Sequence, residues 1–273
     1  MTTATRPASG EHTRQAAVRG PARGMNLWRL EWLRLTRTPR AIALLAIFLF
    51  IGLIEPVITR YQQDLIGRLS HGVRISVPPP TPADGLNSYV AEISVIGLVL
   101  VVAIAAAALC FDTRPGMATF LRTRVVSMRQ LVLPRFAVSA AAAVAAYLLG
   151  TLGTWYETGV LIGSLPVAGL LGGMLCGAVY ETFAVAVTAL AAALARSIVG
   201  TIGVALAILI ALPIAGTLHV IADWLPSALV NAPVSLVNGT AHLSHFGPAL
   251  AVSIATSVAL LAAATARLRA RQI

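Results

Sequence analysis

The sequence predicts an all-α, polytopic membrane protein with six transmembrane helices. Three observations carry that expectation. Of the 273 residues, 58% are hydrophobic and only 11% charged, whereas a soluble domain carries about 25% charge. The mean hydropathy is +0.84. The apolar residues also gather into six runs of about 20 residues, the length that a ~30 Å hydrocarbon core requires.

Residues 1–24 read as a basic tail rich in Arg, Gly, Pro, Ser and Thr, without apolar periodicity and so without a core to fold around. No apolar run follows the basic part closely enough to make a secretory signal. The remainder, 25–273, reads as one transmembrane domain, and Met25 is a candidate alternative start. Residues 25–39 predict an interfacial helix. Trp28, Trp32 and Leu35 share one face, Arg34 and Arg37 point away, and Glu31 lies on the same helix. Tryptophans belong at the headgroup level and arginines toward water and anionic lipid.

The spans are expected at about 41–59, 89–111, 131–155, 167–194, 198–220 and 248–266. A polar connection, 60–88, contains Pro78, Pro79 and Pro80 and predicts a stiff extended link. A turn at 157–166 separates spans three and four. Arg196 and Ser197 mark a short link between spans four and five, and a semi-polar stretch at 221–247 precedes span six.

The segment 111–135 is the only strongly basic one lying between two apolar runs. It carries Arg114, Arg122, Arg124, Arg129 and Arg135 against one acid, Asp112. Asp112 or Thr113 can cap a first helical piece, and Pro115 suits its first turn. Met117, Phe120, Leu121 and Arg124 fall at i, i+3, i+4 and i+7, one face of a helix. Ser127-Met128-Arg129-Gln130 fits a capping box that starts the next helix. With the N-terminus placed in the cytoplasm, 17 arginines lie inside and 3 outside. The positive-inside rule therefore predicts both termini and the 111–135 stretch on the cytoplasmic side of a cell membrane. This placement accounts for the +10 net charge without nucleic acid.

The order of these elements over about residues 25–270 resembles the permease subunit of bacterial type-2 ABC exporters. That family has six spans, an N-terminal interfacial helix and a cytoplasmic coupling helix between spans two and three. Its coupling segment typically reads as an acid, Arg, Gly, a small-apolar stretch, a Thr-containing apex, and Ser-Arg. Here Asp112, Arg114, Gly116, Thr119 through Thr123, and Ser127 with Arg129 stand in that order. Trp224-Leu225-Pro226 resembles the external re-entrant helices between spans five and six. Pro115, inserted before the Gly, departs from the pattern and shifts where the coupling helix can begin.

The resemblance implies a permease that forms the substrate path, with the loop 112–130 coupling it to a separate ATPase through Arg114, Gly116, Met117, Thr119, Phe120, Leu121, Arg122 and Arg124. It implies two ATPase copies, a second permease copy or a sister permease, and ATP with Mg on the ATPase rather than on this chain. Export, rather than import, is likewise what the resemblance implies. The residues give one independent constraint. A P-loop needs the Lys of G-x-x-x-x-G-K-[ST], and all 20 basic residues are Arg. This stretch of chain cannot hydrolyse ATP by that mechanism.

Ionisable groups within spans are costly and mark candidate functional positions. Glu181 sits mid-span, one face of which carries Gly169, Gly173 and Gly177 at four-residue intervals, a spacing that lets another backbone approach. Two readings stand: a packing stripe ending in a satisfied Glu, or a polar point on the substrate path or subunit seam. Tyr180 adjoins Glu181 but projects about 100° away on the helix. Glu55 and Glu92, near the outer ends of spans one and two, are candidates for an outer vestibule. His242 and His245, with His219 and Asp223 nearby, fall short of the three or four convergent ligands of a zinc site. Cys110 and Cys176 read as small core residues. No catalytic motif assembles, including the G-x-S-x-G elbow. A proton-coupled carrier and a membrane-embedded enzyme, each using Glu181, are the alternatives.

Overall fold

A computed structural model describes residues 27–37, 39–69, 78–110, 128–195, 197–218 and 220–270. Their regular structure is helical throughout, and six helices are long and apolar enough to cross a membrane: Pro39–Gln62, Pro82–Leu109, Val132–Leu161, Val167–Leu194, Ile198–Ala215 and Leu243–Ala270. They are called spans one to six below. The chain is thus built as a multi-pass membrane protein. A further helix, Leu27–Arg37, precedes span one.

Span one belongs to a longer helix, Pro39–Leu69. Pro39 opens it, where a missing N–H costs nothing. The connection expected at 60–88 is therefore helical at both ends, because span two begins at Pro82. The local cause is Thr-Pro-Ala-Asp. The Asp84 carboxylate accepts from the Thr81 backbone N–H and hydroxyl, both at 2.7 Å, and Pro82 takes the first helical position. Span two contains one π-helical turn, Ile93–Gly97, before α-helix resumes at Leu98–Leu109.

Span three belongs to the helix Met128–Leu161, whose first residue directly follows Ser127 of the S-x-x-Q pattern. It runs through Glu157, part of the expected turn, to Leu161. Span four is Val167–Leu194, entered from Pro166. Span five starts where the Ser197 hydroxyl accepts from the Gly200 N–H at 3.0 Å, and it ends at Ala215, soon after Pro213. Two turns of 3₁₀-helix and the short helix Ala232–Val237 fill the stretch before span six, which itself opens with a 3₁₀ turn, Leu243–Phe246.

Span four is the most enclosed and touches spans two, three, five and six and the short helix Ala232–Val237. Ala184, Ala186, Ala191 and Ala193 are completely buried on it; small side chains let helices approach where lipid offers no hydrophobic drive to associate. Spans one and three make the other close pair. Gly52 and Gly150 meet backbone to backbone there, and a Cβ on Gly52 would collide with the Gly150 carbonyl. Span five is the least enclosed. Among its residues Thr201, Ala205 and Leu209 are buried, while Val199, Ile210 and Ile214 face outward. Thr201 Oγ1 lies 3.1 Å from Cys110 Sγ and joins span five to the end of span two.

Candidate functional site: a buried carboxylate among spans two, three and four

Glu181 is 4% exposed in the centre of span four. Its burial starts with Gly177, one turn earlier. The space where a Cβ would stand at Gly177 is filled by the Tyr147 ring of span three. Tyr147 is fixed from both ends. Its hydroxyl donates to the Gly173 carbonyl at 3.3 Å, and its own carbonyl accepts from the Tyr89 hydroxyl at 3.2 Å and the Thr151 hydroxyl at 2.8 Å. Spans two, three and four are thus linked at one level by polar contacts, with Gly177 and Gly150 leaving room for the Tyr147 ring and the Tyr89 hydroxyl.

Beside this junction lies a partly open pocket of about 20 Å³, enough to admit water. Glu181, Tyr147, Tyr180, Ser94 and Ile93 line it together with Val230 from the 3₁₀ turn after span five. Tyr180 and Glu181 leave the helix in different directions, yet both border the pocket. Ser94 belongs to the π-helical turn, and its hydroxyl donates to the Val90 carbonyl at 2.5 Å. Single π turns inside α-helices concentrate at functional sites. Glu181 Oε2 is buried and has no hydrogen-bond partner among the described residues, a costly arrangement in an apolar interior.

The glycine stripe is filled from within the chain. A Cβ at Gly169 would lie 2.6 Å from the Leu236 carbonyl oxygen, and one at Gly173 would lie 2.5 Å from the Pro233 Cα. The short helix Ala232–Val237 therefore rests on the first turns of span four, and Tyr147 occupies the third glycine position. Pro233 and Leu236 are the residues that sequence spacing could not supply, because their pairing with 169 and 173 depends on how the chain returns from span five.

Glu55 and Glu92 sit at one level of an antiparallel pair. Thr59 donates to Ser88 at 3.0 Å. Glu55 is one turn before Thr59 and Glu92 one turn after Ser88, so the two carboxylates face each other with a repulsive interaction between them. Both are partly exposed, and neither lines the Glu181 cavity.

On the helix Leu27–Arg37, Glu31 is buried and Trp28 and Trp32 are each 53% exposed. Glu31 Oε1 accepts from Arg135 Nε of span three at 2.7 Å. The sequence places Arg135 among the charges of the basic segment but does not reveal this partner. The Arg34 side chain lies outside the described residues, as do Arg114, Gly116, Met117, Thr119, Phe120, Leu121, Arg122 and Arg124. Among the described residues no three His, Cys, Asp or Glu side chains converge as a metal site; His219 is outside them.

No family model matches this chain, and no curated protein or solved structure is significantly similar to it.

Proposed function

We propose that this chain is the permease subunit of an ATP-driven ABC exporter, with both termini in the cytoplasm and a separate ATPase docked on the loop 112–130. The observation that carries this reading is the Glu31–Arg135 pair. It clamps the helix Leu27–Arg37 to the base of span three, the helix into which the basic loop leads. Movement imposed on that loop would then shift the N-terminal helix and span three together. The arginine asymmetry, the absence of Lys and the helical insert before span six support the same reading. ATP and Mg belong on the ATPase. Two ATPase copies and a second permease, identical or sister, complete the complex, in a bacterial plasma membrane.

A carrier coupled to protonation of Glu181 is the second reading, and the unpartnered Glu181 Oε2 is the observation that favours it. One experiment separates the two. The tagged chain is captured from its native membrane, its companions are identified by mass spectrometry, and the complex is reconstituted in vesicles. The exporter reading expects a P-loop ATPase in the capture and ATP-dependent flux. Flux driven by a proton gradient from the chain alone, with no ATPase captured, replaces it with the carrier.

A further inference from the structure

We infer that the exposed face of the helix Leu27–Arg37 is a binding surface for anionic phospholipid headgroups, one that chooses its lipid by charge. The exposed side chains are sorted around the helix. Counting from Trp28 at about 100° per residue, Trp32 falls at about 40°, Arg29 at about 100°, Leu33 at about 140° and Arg37 at about 180°. All five are exposed, and together they occupy one half of the helix. Glu31, the only acid in the helix, falls at about 300°. It is buried and paired with Arg135. The exposed half therefore carries two arginines beside two indole rings, with no acid of its own. Arg40, in the first turn of span one, is exposed as well.

Charge along the whole bundle is sorted in the same sense. The spans alternate in direction, so this end also receives the last turn of span six, where Arg267 and Arg269 are exposed. The exposed acids Asp84 and Asp223 stand at the opposite end, at the start of span two and in the stretch before span six. A negatively charged leaflet is the complement of the arginine end. Position then favours a lipid over a soluble anion. Residue 38 alone separates the helix from Pro39 of span one, which puts the exposed half at the bilayer boundary, where indole rings are enriched. A phospholipid offers both partners in one molecule: a phosphate that a guanidinium binds through two N–H groups, and apolar carbons just below it for the rings. Phosphatidylcholine has the phosphate too, but its choline cancels the charge. The Glu31–Arg135 pair fixes this helix to span three, so a lipid held here is held to the bundle.

The test uses the full chain in nanodiscs of phosphatidylglycerol and phosphatidylcholine. Trp155→Phe and Trp224→Phe, both at exposed positions, leave Trp28 and Trp32 as the only tryptophans. The lipid composition is held constant, and bromine is placed on the upper acyl carbons either of phosphatidylglycerol or of an equal amount of phosphatidylcholine. Bromine quenches the indoles it touches. The expected result is quenching at least twofold stronger with bromine on phosphatidylglycerol, falling to near parity in high salt, which screens exposed charge. The triple variant Arg29→Gln/Arg37→Gln/Arg40→Gln should lose the preference while it still elutes as a folded species. A Trp28→Phe/Trp32→Phe protein, in which Trp155 and Trp224 report the opposite end, should show none. Equal quenching by the two lipids overturns the proposal and leaves the rings inserted without a choice of lipid. Weak quenching by both gives the face to a protein partner and overturns it as well. A preference that survives in the triple variant, or that appears equally at the opposite end, removes the arginines from the assignment and the proposal with them. If the triple variant does not fold, the salt dependence and the comparison of the two ends still decide. Neither result bears on the ATPase capture experiment, since an exporter and a carrier would present this face alike.

Discussion

Arg135 Nε lies 2.7 Å from Glu31 Oε1, with both side chains nearly enclosed, at 13% and 9% exposure. This pair inverts the usual logic of an amphipathic helix. The charged Glu31 faces the protein, and Trp28 and Trp32 face outward. An ion pair therefore ties the helix Leu27–Arg37 to span three.

Removing one partner should be costly, because it leaves the other charge buried, worth about 3–5 kcal/mol in comparable pairs. Glu31→Ala and Arg135→Ala should each lower the denaturation midpoint of the purified protein, and the double variant should cost less than the sum. A double-mutant cycle by chemical denaturation measures this. Additive losses would show that the two side chains do not interact.

The glycines of span four give a graded series. Gly169→Ala and Gly173→Ala place a Cβ against the backbone of Leu236 and Pro233, which has no side-chain freedom to yield. Gly172→Ala meets only the Leu236 and Leu243 methyl ends, at 3.1 and 3.6 Å. The first two should displace the short helix Ala232–Val237 and cost about 1–3 kcal/mol, and Gly172→Ala should cost less. Gly159→Ala, with nothing within 4 Å, should be neutral or gain about 0.5–1 kcal/mol from helix propensity. Limited proteolysis of the 221–247 stretch reads the displacement directly. Uniform cleavage across all four variants would mean that the stripe does not seat that helix.

How far sequence reading reaches is clear from particular residues. Span four is expected at 167–194 and is observed at Val167–Leu194, because Pro166 and the link at 195–197 punctuate a continuous apolar run. Span two begins at Pro82 rather than near 89. Pro78, Pro79 and Pro80 predict an extended link, whereas Thr81-Pro82-Ala83-Asp84 starts a helix directly after them. Glu181 was legible as a buried charge. Its cavity was not, since Ser94, Tyr147 and Val230 reach it from three other parts of the chain, and the π-helical turn that carries Ser94 leaves no periodicity strong enough to read. The Glu31–Arg135 pair spans 104 positions, beyond any local pattern.

Trp28 and Trp32, each 53% exposed, should sit among lipid headgroups, the level at which tryptophan is enriched. Single cysteines at 28 and 32 should react slowly with a membrane-impermeant maleimide, and cysteines at 34 and 37 quickly. The expected contrast is at least fivefold in rate at equal protein folding. Equal rates at all four positions would place the helix in water.

Docking of an ATPase, in the proposed function, depends on the apolar face of Met117, Phe120 and Leu121, with Arg122 and Arg124 pairing with acids around it. Phe120→Asp puts an unpaired charge into that contact and should weaken it by several kcal/mol, roughly a hundredfold or more in affinity. Co-purified ATPase should fall to background while the permease keeps its yield and elution volume. Unchanged co-purification would exclude this face as the dock.

The crossing of spans one and three is the most sharply defined packing test. Gly52 and Gly150 touch through main chain, and a Cβ on Gly150 would also strike the Tyr89 hydroxyl and the Phe48 carbonyl. Tyr89 in turn donates to the Tyr147 carbonyl, and Tyr147 lines the Glu181 cavity. A methyl at Gly52 must therefore separate the two helices, at about 1–3 kcal/mol or more, and a methyl at Gly150 must also push Tyr89 away from Tyr147. Gly153→Ala, one turn further along span three, meets only Leu49 and Leu53 methyl groups at 3.1 and 3.6 Å and should cost under about 1 kcal/mol. Thermal unfolding should rank the variants Gly153→Ala, Gly52→Ala, Gly150→Ala in order of increasing loss. Of the three, Gly150→Ala alone also displaces Tyr89. A Gly150→Ala protein with native stability would mean that the close approach of spans one and three does not set the positions of Tyr89 and Tyr147.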